Sequence, residues 1–239
     1  MPAASGSAAI IIPAFNEAAS IGAVIAELPR DVVDRVIVVD GGSTDGTANA
    51  ARRAGAEVLA VGPGYGRACL AGARAAAGAD ILVFMDGDGA DNPAAIPALI
   101  APIRSGACDF VIAKRGRAGR EPGSMAAHQI WAGHIAGWLT GTLYGVRYTD
   151  MCAFRAIRRD TLLALGMREP TYGWNLEMQM RAARAGHRVL ELPVAYRRRI
   201  AGESKVAGNL RGSITAGLKI VSTFARVALE PARGGRRGL

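Results

Sequence analysis

Ala79-Asp80-Ile81-Leu82-Val83-Phe84-Met85-Asp86-Gly87-Asp88-Gly89 is an apolar run that empties into two carboxylates one residue apart. A short apolar run punctuated by glycine predicts a buried strand over 79–85. At its end Asp86 and Asp88 offer hard oxygens to a divalent cation, and Gly87 and Gly89 leave room for a ligand to approach. Magnesium is typically held by one or two carboxylates together with substrate phosphates, so a pair is sufficient for a metal-diphosphate site. The same residues also suit a plain tight turn, and the neighbouring segments weigh between the two.

Upstream, Ala8-Ala9-Ile10-Ile11-Ile12-Pro13-Ala14-Phe15-Asn16-Glu17 reads as a strand over 8–13 closed by a proline and a polar pair. Val36-Ile37-Val38-Val39-Asp40-Gly41-Gly42-Ser43-Thr44-Asp45-Gly46-Thr47 reads as a strand over 34–40 that ends in an acid, a glycine turn and helix-capping residues. Helices are expected over 17–28, 44–54, 66–77 and 93–104, and further strands over 56–60 and 108–113. Such a βα series predicts an α/β fold, a single Rossmann-like domain whose mostly parallel central sheet is flanked by helices. Open α/β sheets bind ligands at the carboxyl ends of their strands, where all three acid-bearing segments finish. Gly62-Pro63-Gly64-Tyr65-Gly66-Arg67 lacks GxGxxG spacing and follows the third strand, which argues against a nicotinamide site.

The chain's 239 residues suffice for one full core. The expected division is a catalytic domain over 1–205 and a basic amphipathic helix and tail over 206–239. With no signal peptide and no apolar run of about 18 residues, the expectation is a cytoplasmic protein. Cys69, Cys108 and Cys152 are scattered without CxxC spacing and read as reduced thiols. From Arg197 to Leu239, ten Lys/Arg face two Glu, which accounts for +8 of the chain's +9. No nucleic-acid-binding motif accompanies this charge, so an anionic membrane surface is the better partner, on the cytoplasmic face.

Lys114, Arg115, Arg117 and Arg120 cluster after the strand at 108–113, ahead of a helix over 125–144 that carries Trp131, Trp138 and Tyr144. This helix suits either a bilayer contact or an ordinary core. His128 and His134 are six positions apart, which does not gather them on one helix face. From Leu210 to Ala228, Leu210, Ile214, Leu218, Val221, Ala225 and Ala228 form an apolar stripe, while Arg211, Thr215, Lys219, Ser222 and Arg226 form a polar one. That helix suits a membrane surface, its own domain or an oligomer contact.

The Pro-Ala-Phe-Asn-Glu, Asp-Gly-Gly-Ser-Thr-Asp-Gly-Thr and Asp-Gly-Asp motifs, in this order, resemble those of family 2 glycosyltransferases of the GT-A fold. Arg199-Ile200-Ala201-Gly202-Glu203-Ser204-Lys205 is similar to the Arg-x-x-Gly-x-Ser-Lys signature of polyprenyl-phosphate sugar transferases such as dolichol-phosphate mannose synthase. The resemblance implies an inverting transfer of sugar from a UDP- or GDP-linked donor to a polyprenyl phosphate, with Mg²⁺ or Mn²⁺ on Asp86 and Asp88. Pro13, Phe15, Glu17 and Asp40 would bind base and ribose, Arg67 would lie near the nucleotide, and Arg199 and Lys205 would close over the diphosphate. Glu177 matches an acid delivered toward the acceptor and Asp150 an acid ahead of a Gly-Phe-Arg-like strand; either is the candidate base if the acceptor is a hydroxyl. Two departures stand out: Gly41 replaces an Asp, and Ala90 replaces a Gln that could ligate metal, with Asp91 as a possible substitute. A soluble hydroxyl acceptor, or a non-catalytic nucleotide-sugar-binding membrane adaptor, are the alternatives. A sugar-phosphate nucleotidyltransferase is disfavoured because no Gly-rich basic loop follows the first strand.

Overall fold

The computed structural model describes residues 6–116, 119–121, 124, 127–201 and 210–230, without the side chains of 127–132, 135 and 210–216. Seven strands form one sheet in the order β3-β2-β1-β4-β6-β5-β7. β1 (Ala8–Ala14), β2 (Arg35–Asp40), β3 (Glu57–Ala60) and β4 (Ile81–Phe84) run parallel, as expected. β5 (Phe110–Lys114) and β7 (Val189–Pro193) pair parallel on the far side. Between β4 and β5 lies β6 (Arg155–Arg158), antiparallel to both. This reversed strand brings the segment before it, including Asp150, to the rim where β4 and β5 end.

Ala8 to Ile12 and Val36 to Val39 are buried on both faces, which explains their unbroken apolar runs. α1 (Ile21–Ala26), α2 (Thr47–Arg53), α3 (Tyr65–Ala75) and α4 (Ile96–Arg104) connect the strands. α3 packs so closely that a Cβ on Gly72 would lie 2.5 Å from Ile11 Cγ2. Helices 1 and 2 begin later than the sequence suggests, at Ile21 and Thr47, because the polar residues before them are engaged at the sheet rim.

α5 (Ala127–Tyr144), α6 (Arg159–Leu165), α7 (Trp174–Arg184) and α8 (Leu210–Leu229) complete the structure. α8 shares a second small core with α5 and α7, built on Ala136, Leu176, Met180 and Val227. Its orientation corrects the expected stripes. Leu218 and Val221 are 66% and 67% exposed, whereas Thr223 and Val227 are fully buried. Arg226, assigned to the polar stripe, turns inward to Glu169 and Glu177. The helix therefore presents Leu218, Lys219, Val221 and Ser222 to solvent. Among the described residues no helix is long and apolar enough to cross a membrane. Cys69, Cys108 and Cys152 are buried free thiols.

Candidate active site

Parallel register sets the ends of β1 and β2 side by side, with Ala14 opposite Asp40. The loops beyond them are stapled together by side chains. Asn16 N–H donates to Ser43 Oγ at 2.8 Å, Thr44 N–H to Asn16 Oδ1 at 3.0 Å, Glu17 N–H to Thr47 Oγ1 at 2.8 Å and Ala18 N–H to Asp45 Oδ2 at 3.0 Å. Asn16 adopts φ 54, a left-handed conformation that asparagine tolerates. The Ser-Thr-Asp-Gly-Thr motif thus does more than start a helix: it holds Phe15, Glu17 and Asp40 on one rim. Asp40 is buried and accepts Ser43 N–H at 2.9 Å. Pro13 is half-buried at the strand end, and Phe15 is 45% exposed beyond it. A side chain at Gly41 would meet only ordinary contacts, so packing does not demand glycine there.

The acidic turn follows β4. Gly87 serves packing, since its Cβ would lie 3.1 Å from Ile21 Cδ1 and its carbonyl accepts Ser20 Oγ–H at 2.8 Å. Gly89 has φ 83 and its missing Cβ makes way for Ile200. The missing Cβ atoms of both glycines thus make room for the protein's own chain. Beyond β7 that chain crosses the acidic turn as a strap. Tyr196 bridges to Asp91, Arg197 N–H donates to the Ala90 carbonyl at 2.9 Å, and Ile200 N–H donates to the Asp88 carbonyl at 2.9 Å. The strap delivers Arg199, whose Nη2 lies 2.9 Å from Asp88 Oδ2.

The carboxylates fit a hard cation. Asp88 is buried; its Oδ1 accepts Ala90 N–H at 2.9 Å, while Oδ2 accepts no well-directed hydrogen bond despite its ionic contact with Arg199. Burial and the neighbouring Asp88 charge push the Asp86 carboxyl up to about 7, against the pull of Arg199 and Arg115. Divalent charge would relieve both the repulsion and the orphaned oxygen. Asp91 does not extend the pair: its Oδ2 accepts Asp86 N–H at 3.0 Å, and among the described residues no three His, Cys, Asp or Glu side chains are gathered for a metal. Two carboxylates plus a diphosphate remain an adequate magnesium or manganese set.

The two candidate bases are both held by arginine. Asp150 forms a fork with Arg115, at 2.9 Å to Nε and 2.6 Å to Nη2, and also accepts Arg115 N–H at 2.9 Å. Burial would raise this carboxyl, but the Arg115 bonds and charge hold it below its ordinary range. Arg115 lies 5.1 Å over the Tyr196 ring, so Asp150 anchors a cation beside the strap. This pairing escaped the sequence, where Arg115 was one of four clustered basic residues; the acid facing that cluster was the available signal.

Glu177 is fully buried between α7 and α8. One oxygen accepts Arg168 and Glu169 N–H at 3.0 and 2.7 Å; the other lies 2.9 Å from both Arg181 Nε and Arg226 Nη1. Burial pushes its carboxyl up, yet these donors hold it below the ordinary value. Four donors saturate a carboxylate, so the expected acceptor-facing acid is instead the centre of a structural network. Arg67 is exposed on the first turn of α3, its guanidinium donating to the Pro63 carbonyl at 3.0 Å. Lys205 lies outside the described residues.

Known proteins share this architecture. The glucosyl-3-phosphoglycerate synthase of Mycobacterium tuberculosis, solved with Mn²⁺, uridine-diphosphate and phosphoglyceric acid, superposes with a TM-score of 0.75 over 96% of this chain and 81% of its own, at 24% identity. An uncharacterized glycosyltransferase of Mycobacterium tuberculosis is 38% identical over 89% of this chain and 95% of its own length. The undecaprenyl-phosphate mannosyltransferase of Micrococcus luteus is 36% identical over 84% of this chain and 88% of its own. The dolichyl-phosphate hexose transferase of Haloferax volcanii is 33% identical over 93% and 94%. The model of glycosyl transferase family 2 matches residues 9–166, a span that contains both stapled loops and the acidic turn. With its rim built from that matched span and its likeness to these relatives running nearly end to end, the chain belongs to glycosyl transferase family 2 and has the GT-A fold.

Proposed function

We propose that the protein transfers a sugar, with inversion, from a nucleoside diphosphate-sugar to a polyprenyl phosphate at a membrane surface. The observation that carries the acceptor is the pairing of Glu177 and Asp150 with arginines. A hydroxyl acceptor needs a base to take its proton, and both candidates are bound and held low. A phosphate monoester is already ionised near neutral pH and attacks without one. The names of the Micrococcus and Haloferax relatives agree with a lipid phosphate.

A divalent cation bound with the donor would offset the charge that grows on the leaving diphosphate. Asp86 and Asp88 would hold that cation, and Arg199, with Lys205, would face the diphosphate oxygens. Such cations help most when leaving-group charge develops, so they favour the transition state over the ground state. Phe15 offers an exposed ring and Pro13 a strand-end surface for the base, Glu17 and Asp40 would offer carboxylates to the ribose, and Arg67 would lie near the nucleotide. The outward face of α8, with Leu218 and Val221 flanking Lys219, suits the interface of an anionic bilayer, which would keep the enzyme peripheral at the cytoplasmic face.

A thermal-shift series with UDP- and GDP-sugars, each with and without Mn²⁺, tests the donor half. Donor at 100 times its Kd should stabilise by about 2.7 kcal/mol, and only with metal for the diphosphate-dependent part. Absence of a shift from every nucleotide-sugar would contradict the proposal.

A further inference from the structure

Asp88 offers two oxygens, of which one accepts a directed hydrogen bond and the other has only an ionic contact. Oδ1 takes the Ala90 N–H, and Oδ2 sits 2.9 Å from the Arg199 guanidinium. A magnesium ion bound by a carboxylate lies about 2.0–2.1 Å from the oxygen. Guanidinium and metal therefore compete for the same buried atom. The strap that carries Arg199 is not loosely laid: it is fixed on either side by Arg197 N–H to Ala90 and Ile200 N–H to Asp88. Arg197 adds side-chain bonds to Glu27 at 2.6 Å and Asn92 at 2.7 Å.

We infer that Arg199 acts as a stand-in cation on Asp88, so that metal and the donor's diphosphate must enter together. This rests on the metal-diphosphate reading of the site. The argument is one of partner exchange. A metal approaching alone must displace Arg199 and leave its charge uncompensated against the cation. A diphosphate approaching alone would draw Arg199 but leave Asp86 and Asp88 facing each other and the incoming anion. When both arrive, the guanidinium moves from carboxylate to phosphate, for which its planar fork is suited, and the metal takes the vacated oxygen. Because the strap is pinned at Arg197 and Ile200, Arg199 can exchange partners by side-chain rotation without unseating the backbone. Thermodynamic linkage then makes each ligand tighten the other by the same factor.

The test measures Mn²⁺ binding by calorimetry or electron paramagnetic resonance, with no turnover required. In the native protein, Mn²⁺ alone should bind weakly, and saturating UDP or GDP should tighten it. In Arg199→Ala, Mn²⁺ alone should bind about tenfold tighter, since a charge-assisted contact of this kind is worth roughly that factor, and the gain from nucleotide should shrink. Arg197→Ala serves as control, because it loosens the same strap without touching Asp88; its Mn²⁺ affinity should stay near native. Unchanged or weaker Mn²⁺ binding in Arg199→Ala would overturn the inference, as would an equal gain in Arg197→Ala, which would assign the effect to strap seating. If Mn²⁺ and nucleotide both bind the native protein but independently, the inference fails while the proposed donor site stands. If neither binds under any condition, both fail.

Discussion

Replacing Glu177 by Gln distinguishes structure from catalysis more sharply than any other single change. The amide preserves volume but removes the charge that faces Arg181, whose side chain is 7% exposed, and Arg226, which is 34% exposed. It also sets an N–H₂ against donors on one side or the other, since Arg168, Glu169, Arg181 and Arg226 all donate to this carboxylate. Breaking a buried ionic pair typically costs about 3–5 kcal/mol. Arg181 and the two backbone donors carry most of this, because Arg226 is partly screened by solvent. For a chain of this size each kcal/mol lowers Tm by about 2–4 °C, so Glu177→Gln should melt roughly 6–20 °C below the native protein. Because the native carboxyl is held below its ordinary value, its stabilisation is present above the unfolded pKa and is lost as pH falls through the folded pKa. Glu177→Gln should therefore show a flatter acid limb in a plot of stability against pH below about 5. The assays are thermal and denaturant unfolding across pH, with transfer measured well below the midpoint. A variant with native stability and no transfer would refute this reasoning and restore Glu177 as a base.

Gly72→Ala should destabilise by about 1–3 kcal/mol, because its Cβ would press on Ile11 in the closed core, whereas Gly22→Ala in α1 meets open space and should stabilise by up to about 1 kcal/mol; denaturant midpoints decide both. Leu218→Ser with Val221→Ser should leave stability within about 0.5 kcal/mol of native yet weaken sedimentation with anionic vesicles. Native binding to those vesicles should also fall with salt, since the attraction is screened over about 8 Å at physiological ionic strength. Unchanged vesicle binding in the double variant would remove α8 as the membrane contact.

The left half of the sheet was readable from the chain because its strands are continuous apolar runs ended by Pro13, Asp40 and Asp86, and because a rim follows once they are parallel. The antiparallel β6 was not readable: four residues paired to strands far away in sequence leave no local period. The face of α8 was misread for a different reason. Leu218 and Val221 satisfied the apolar spacing, but the neighbouring surface holds two buried acids, Glu169 and Glu177, and electrostatics rotated Arg226 toward them. Arg181, four residues after Glu177 on the same helix, was the one partner of that acid its spacing offered. The glycines of the acidic turn were likewise legible as close approaches, though the approaching atoms belong to Ile21 and Ile200.

Transfer of label from a sugar nucleotide into an organic-extractable polyprenyl phosphate product tests the central claim most directly. The native protein with Mn²⁺ should form an acid-labile lipid-phosphate sugar of inverted anomeric configuration. Chelator or Asp88→Asn should abolish product while leaving the melting profile of the bare protein cooperative. Label that appears only on a soluble hydroxyl acceptor, or product undiminished in Asp88→Asn, would contradict the account.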